Sequence, residues 1–148
     1  MSKTTETAAT KKKTTARRAE VGAAMFGRDI LVERNTVHHA NIGIELASEH
    51  RGRATSGVTV RSNLVYRNDV TGISIGGYDK RRGSTENCAI INNTVVDNDT
   101  LETGTGEISL QFDTRNNTIR NNIILAGAQG KLIGNEFKKN RGNVVDSN

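Results

Sequence analysis

The sequence contains no proline and no tryptophan, has one cysteine, and carries aromatic side chains at only 3% of its positions. Each shortage excludes something. A single cysteine, Cys88, rules out an intramolecular disulfide and leaves the redox compartment open. Few aromatics and 34% hydrophobic residues are thin for a globule of 148 residues closed around one large core. No apolar run approaches membrane-spanning length, and the basic N-terminus lacks the apolar stretch of a secretory signal. The net charge of +5 is also local: residues 1–28 hold seven Lys/Arg and two Glu, whereas beyond them fourteen charges of each sign cancel. A basic tail on a neutral body gives no reason for the body to bind nucleic acid.

What the chain has instead is asparagine, β-branched residues and a repeat. Gly57-Val-Thr-Val-Arg-Ser-Asn63 recurs as Asp29–Asn35, Asn87–Asn93 and Asn116–Asn122, each copy followed by two residues such as Leu64-Val65. The closing asparagines lie 28, 30 and 29 residues apart, a period that signals stacked repeats. A second slot recurs as Ile42-Gly-Ile-Glu-Leu46, Thr71-Gly-Ile-Ser-Ile75 and Gly106-Glu-Ile-Ser-Leu110, with Val21-Gly-Ala-Ala-Met25 as its first copy. Its apolar residues alternate with Gly, Glu or Ser, the period of a strand with one buried face.

Three short strands per repeat follow. Ile30, Val32, Val58, Val60, Cys88, Ile90 and Ile119 point inward from one, and Val37, Val65, Val95 and Ile124 from the next. Ile42, Ile44, Leu46, Ile73, Ile75, Ile108 and Leu110 point inward from the third. The expected fold is an all-β parallel solenoid of four to five triangular coils over residues 21–148, preceded by a disordered basic tail at 1–20. At the bends, Asn35, Asn63, Asn93 and Asn122 are expected to adopt the left-handed conformation and to pair amide to amide in a ladder. They are structural rather than catalytic.

These heptads and the Gly-Ile-Ser-Ile type of strand resemble right-handed parallel β-helix repeat proteins of the pectate-lyase-like superfamily, over roughly residues 21–148. That superfamily contains polysaccharide lyases, hydrolases, esterases, epimerases, tailspikes and adhesins, so the resemblance fixes fold more than activity. It implies a secreted or cell-surface setting, although no signal peptide is seen. Such proteins usually have more coils and a cap. Gly142–Asn148 aligns with Gly57–Asn63, so the chain reads as an uncapped, truncated member able to self-associate through its open ends.

Function is expected in the irregular loops. Residues 47–56 and 76–86 leave the same strand slot in successive coils and must project side by side. They gather Glu49, His50, Arg51, Arg53, Tyr78, Asp79, Lys80, Arg81 and Arg82. Glu45, Ser74 and Ser109 form one outward column beside them and Gly43, Gly72 and Glu107 another, giving a shallow groove edged by Glu45 and Glu107. Arginine and lysine suit carboxylates, and a tyrosine suits a sugar face, so an acidic polysaccharide is the expected partner. The β-elimination implied by the resemblance needs a base at the sugar C5 proton, for which Lys80, Arg82, His50 or Tyr78 are candidates. Glu45, Arg51, Ser74, Asp79 and Glu107 are then substrate contacts. The other reading is a non-catalytic adhesive solenoid, and nucleic acid enters only through the tail.

No metal site is assigned, and the resemblance implies Ca²⁺ as the one candidate cofactor. His38-His39 has no further histidine or cysteine at ligand spacing and reads as a turn. Related lyases often use Ca²⁺, but Asp97, Asp99 and Glu102 lack the glycine of a calcium loop and read as an acidic turn. Cys88 takes a core slot, and the paired aspartates of the family's hydrolases are missing.

Overall fold

A computed structural model describes residues 27–135, 137 and 139–148, with the backbone alone at 23–25. The expected tail at 1–20 and Val21 lie outside the described residues. Strand β1 spans Ala23–Met25. The first coil follows as β2 (Leu31–Glu33), β3 (Thr36–His38) and β4 (Ile42–Ser48). The second holds β5 (Ala54–Ser56), β6 (Thr59–Arg61), β7 (Leu64–Tyr66) and β8 (Thr71–Gly77). The third repeats this with β9 (Ser84–Glu86), β10 (Ala89–Ile91), β11 (Thr94–Val96) and β12 (Ile108–Leu110). The fourth has β13 (Thr114–Arg115), β14 (Thr118–Arg120), β15 (Ile123–Leu125) and β16 (Ile133–Gly134), and β17 (Val144–Asp146) begins another.

Strands stack only on their counterparts in neighbouring coils, in parallel, so the molecule is a solenoid of about four turns. The four sheets run β1-β4-β8-β12-β16, β2-β6-β10-β14-β17, β3-β7-β11-β15 and β5-β9-β13. Register is in phase, with Val32, Val60, Ile90, Ile119 and Val145 in one column and Val37, Val65, Val95 and Ile124 in another. These columns, with Ile44, Leu46, Ile73, Ile75, Ile108 and Leu110, form one narrow continuous core. Cys88 lies in it, where burial raises its thiol pKa.

Two expectations need correction. The second to fourth coils contain four strands rather than three, because β5, β9 and β13 occupy what reads as loop. A buried column, Thr55, Thr85 and Thr114, fixes them, with the Thr55 and Thr85 hydroxyls donating to Ala47 O and Leu46 O at 2.8 and 2.6 Å. The projecting loops are accordingly shorter, 49–53 and 78–83. The left-handed residue at each bend is also not the ladder asparagine but its predecessor: Arg34, Ser62, Asn92, Asn121 and Ser147 all have φ between 53° and 57°. That turn directs the next side chain inward.

The ladder itself forms. Asn35, Asn63, Asn93 and Asn122 each donate through Nδ2 to Oδ1 of the next rung at 2.8–3.0 Å, ending on Asn148. Each backbone N–H bonds the same oxygen, and Asn93 Nδ2 also reaches Val60 O at 3.0 Å. Groups that strand pairing abandons at the bend are thus satisfied in a dry interior.

Candidate functional site

The same logic produces a ladder that the sequence pattern does not announce. Five residues after each rung stand Ala40, Asn68, Asn98 and Gly127. Asn68 Nδ2 donates to Asn98 Oδ1 at 2.7 Å, and Ala40 N to Asn68 Oδ1 at 3.0 Å. Gly127 breaks the column, and Glu107 closes it. Its carboxylate accepts Asn98 Nδ2 at 2.6 Å, Asn98 N at 3.0 Å and Gly127 N at 3.0 Å.

Glu107 is therefore 0% exposed and edges no groove. Alternation counted back from Ile108 points it outward, but the bend at Gly106 (φ 83°) breaks the phase. Gly43 and Gly72 in the same column face inward too. A Cβ on Gly72 would lie 2.7 Å from Val95 Cγ1 and Asn98 Nδ2, a space that only the coil lacking a ladder asparagine leaves open to a side chain. Burial pushes the Glu107 carboxyl pKa up, against its hydrogen bonds from Asn98 and Gly127.

The outward column is closed as well. Ser74 and Ser109 are buried, and Ser74 Oγ has no hydrogen-bond partner among the described residues. Glu45 is half-buried beside them, its pKa raised by burial and by Glu49. Among the described residues, Ser74 and Ser109 offer no exposed floor for a groove over this column.

The two loops do meet. Gly83 N donates to His50 O at 3.1 Å, and β4 pairs β8 as far as Ser48 beside Gly77. Contact is so close at Gly83 (φ 76°) that any Cβ would strike Ser48 O, which explains a glycine there. Two depressions flank residues 52–54. One, about 830 Å³, is lined by Arg28, Ser48, His50, Arg51 and Arg53. The other, about 370 Å³, crosses the β5-β9-β13 sheet between Arg53, Lys80, Arg81, Glu86, Asp113, Arg115 and Lys139. Arg115 is matched to Asp113 and Glu86, at 2.5 and 3.8 Å, while Arg53, Lys80, Arg81 and Lys139 form no ion pair among the described residues. The trough is thus net cationic.

Tyr78, Asp79 and Arg82 assemble elsewhere, at the tip of the second loop. Asp79 accepts the backbone N–H groups of Arg81 and Arg82 at 2.8 and 3.0 Å and pairs with the Arg82 guanidinium at 2.7 Å. Arg82 in turn sits 4.1 Å from the centre of the Tyr78 ring. Hydrogen bonds from Arg81 and Arg82 hold the Asp79 carboxyl below its ordinary range, and Asp79 raises the pKa of Arg82. The acidic turn behaves likewise. Asp99 accepts from Thr103 N and Oγ1, Gly104 N and Gly106 N at 2.6–3.1 Å. Burial opposes its ionisation, but these bonds outweigh it and its pKa is lowered. Among the described residues no group of three or more His, Cys, Asp or Glu converges to hold a metal ion.

Of the residues that the sequence singled out, the troughs unite His50, Arg51, Arg53, Lys80 and Arg81. They add Arg28, Arg115 and Lys139, which reach the same face because Arg28, Ser56, Glu86, Arg115 and Arg141 stand in register across coils. Their membership follows from the period but was hidden by the unrecognised fourth strand.

Comparison with known proteins agrees with this architecture. Residues 27–148 match a family model described as a right handed beta helix region. The uncharacterized protein YwoF of Bacillus subtilis (strain 168) is 48% identical over 122 residues, covering 82% of this chain and 26% of YwoF. The chain thus spans about a quarter of that relative's length. No solved structure matches.

Proposed function

The chain belongs to the right-handed β-helix family, and we propose that it is a carbohydrate-active module of the pectate-lyase-like kind that binds an acidic polysaccharide along its cationic trough. The observation that supports this reading is the set of four cations around the trough, Arg53, Lys80, Arg81 and Lys139, that form no ion pair among the described residues and that, with Arg115, outnumber Glu86 and Asp113. A polymer with a carboxylate on each sugar presents repeated planar anions. Arginine forks and a lysine point charge on a rigid sheet meet them at low ordering cost. Each exposed contact contributes about 0.5 kcal/mol, so removing three weakens binding by about tenfold.

Cleavage by β-elimination asks in addition for a base. Lys80 is the candidate that lines the 370 Å³ trough, whereas Asp79 holds Arg82 protonated.

The test is titration with polygalacturonate, alginate and a neutral glucan at low and high salt, with the absorbance of unsaturated products followed in parallel. Binding of the uronates alone, screened by salt and weakened about tenfold in the Arg53→Ala/Lys80→Ala/Arg81→Ala variant, is expected. Equal affinity for the neutral glucan, or an unchanged triple variant, overturns it. Loss of binding on deletion of residues 1–20 would assign the affinity to the tail instead.

A further inference from the structure

In a regular strand, consecutive side chains point to opposite faces, so His38 and His39 should not meet. They do. His39 has φ 55°, as its counterparts Arg67 and Asp97 have 50° and 54°, and this left-handed step at the end of β3 swings its ring back beside its neighbour's. The two Nδ1 atoms lie 2.6 Å apart, with ring centres 4.9 Å apart and planes at 85°. His38 is held from the other side by stacking on Tyr66 of the next coil, centres 4.9 Å apart and planes at 24°. His39 lies edge-on to the same tyrosine at 6.4 Å.

Two imidazole nitrogens held this close form a chelate once both turn toward one ion. Bound to one ion at about 2.0–2.1 Å each, they would stand roughly 3 Å apart, so opening the pair by well under an ångström suffices. To ligate, the ring that holds the proton between the two nitrogens shifts it through solvent to its own Nε2, so that both rings stand as Nε2–H tautomers and offer their Nδ1 lone pairs. The nearby cation Arg67 is matched by Asp97 at 3.3 Å, which reduces its repulsion of a metal ion.

From this geometry we propose that His38 and His39 form a two-imidazole site for a divalent transition ion, with water filling the remaining positions. Imidazole suits nickel, copper and zinc, and the order of affinity follows Cu²⁺ above Ni²⁺ and Zn²⁺. The site lies on the β3-β7-β11-β15 sheet, apart from the cationic trough, and stands or falls independently of polysaccharide binding.

The chain has three histidines, so the background is small. The test uses untagged protein titrated with Ni²⁺ alone by calorimetry, supported by paramagnetic broadening of amide signals. One equivalent is expected, with broadening centred on residues 38 and 39. His38→Phe keeps an aromatic ring on Tyr66 and should cut affinity at least tenfold, as should His39→Ala, while His50→Ala leaves it unchanged. An absence of saturable binding, or binding that survives both His38→Phe and His39→Ala, overturns the proposal. Matching circular dichroism spectra would show that the variants remain folded.

Discussion

Exchanging two residues at the end of the shorter ladder gives a quantitative check on how the coils are held together. Glu107→Gly removes the acceptor of Asn98 N, Asn98 Nδ2 and Gly127 N. A buried donor left unpaired costs about 1–3 kcal/mol. Asn98 Nδ2 keeps Val65 O and Val96 O, both at 3.1 Å, and water can serve the half-buried Gly127, so Asn98 N is the donor left unpaired and the loss should be about 2 kcal/mol, offset in part by relief from burying a carboxyl. Gly127→Asn alone adds a side chain whose Cβ lies 3.1 Å from Asn98 O and Asp97 Oδ1 and whose amide must enter the space of the Glu107 carboxylate. Overpacking of that kind costs about 1–3 kcal/mol. Together the changes recreate the pattern of the earlier coils, glycine in the strand slot and asparagine in the ladder. The double variant should then lie within about 1 kcal/mol of the parent, a coupling of roughly 3 kcal/mol. Urea unfolding followed by circular dichroism measures the four corners of the cycle. Additive losses would refute the claim that Glu107 stands in for a missing rung.

Other outcomes follow from the same contacts. Asn93→Ala, in the middle of the long ladder, leaves Asn63 N without its acceptor and removes the amide bonds to Asn63 Nδ2 and Val60 O, while Asn63 Nδ2 keeps Val32 O at 3.0 Å, and should cost about 2–3 kcal/mol. Asn35→Ala, at its end, removes one rung-to-rung amide bond and should cost about 1 kcal/mol by the same melt. The two buried carboxyls predict opposite pH slopes. Asp99, with a lowered folded pKa, contributes stability above its unfolded value of about 3.9 and loses it as pH falls through the folded value. Asp99→Asn should flatten that acid loss in denaturant midpoints. Glu107, with a raised folded pKa, contributes most below its unfolded value of about 4.3 and loses that contribution as pH rises through the folded value. The midpoint difference between parent and Glu107→Gln should change with pH in that direction.

Much of the fold is legible in the chain because the solenoid writes each structural position several times. Val58, Val60 and Asn63 are each echoed in neighbouring coils, and the repetition separates inward from outward without any tertiary information. Legibility fails where repetition is broken or apolar alternation is absent. Ala54–Ser56 and Ser84–Glu86 are polar strands whose only shared mark is a threonine. Asn68 and Asn98 form too short a column to stand out between Ala40 and Gly127. One signal was available: the coil that loses its asparagine at Gly127 directly follows the one that gains Glu107 where Gly43 and Gly72 stood. The candidate site was legible as a neighbourhood, since loops leaving one slot must lie together. Pairing within it was not, and Asp79 draws Arg82 onto Tyr78 through a local turn. His38 and His39 show the converse, because a strand pattern separates neighbours that one left-handed residue reunites.

On the proposed reading, ladders and core are scaffold, while the loops and the β5-β9-β13 face carry function. Backbone and asparagine side-chain amide shifts, recorded while a short oligouronate is added, test it most directly. Shifts should cluster at residues 50–54, 80–84 and 113–115, with the amides of Asn63, Asn93 and Asn122 unmoved. Shifts concentrated on the ladder asparagines or on the β3-β7-β11-β15 sheet, or no shifts at all, would contradict it.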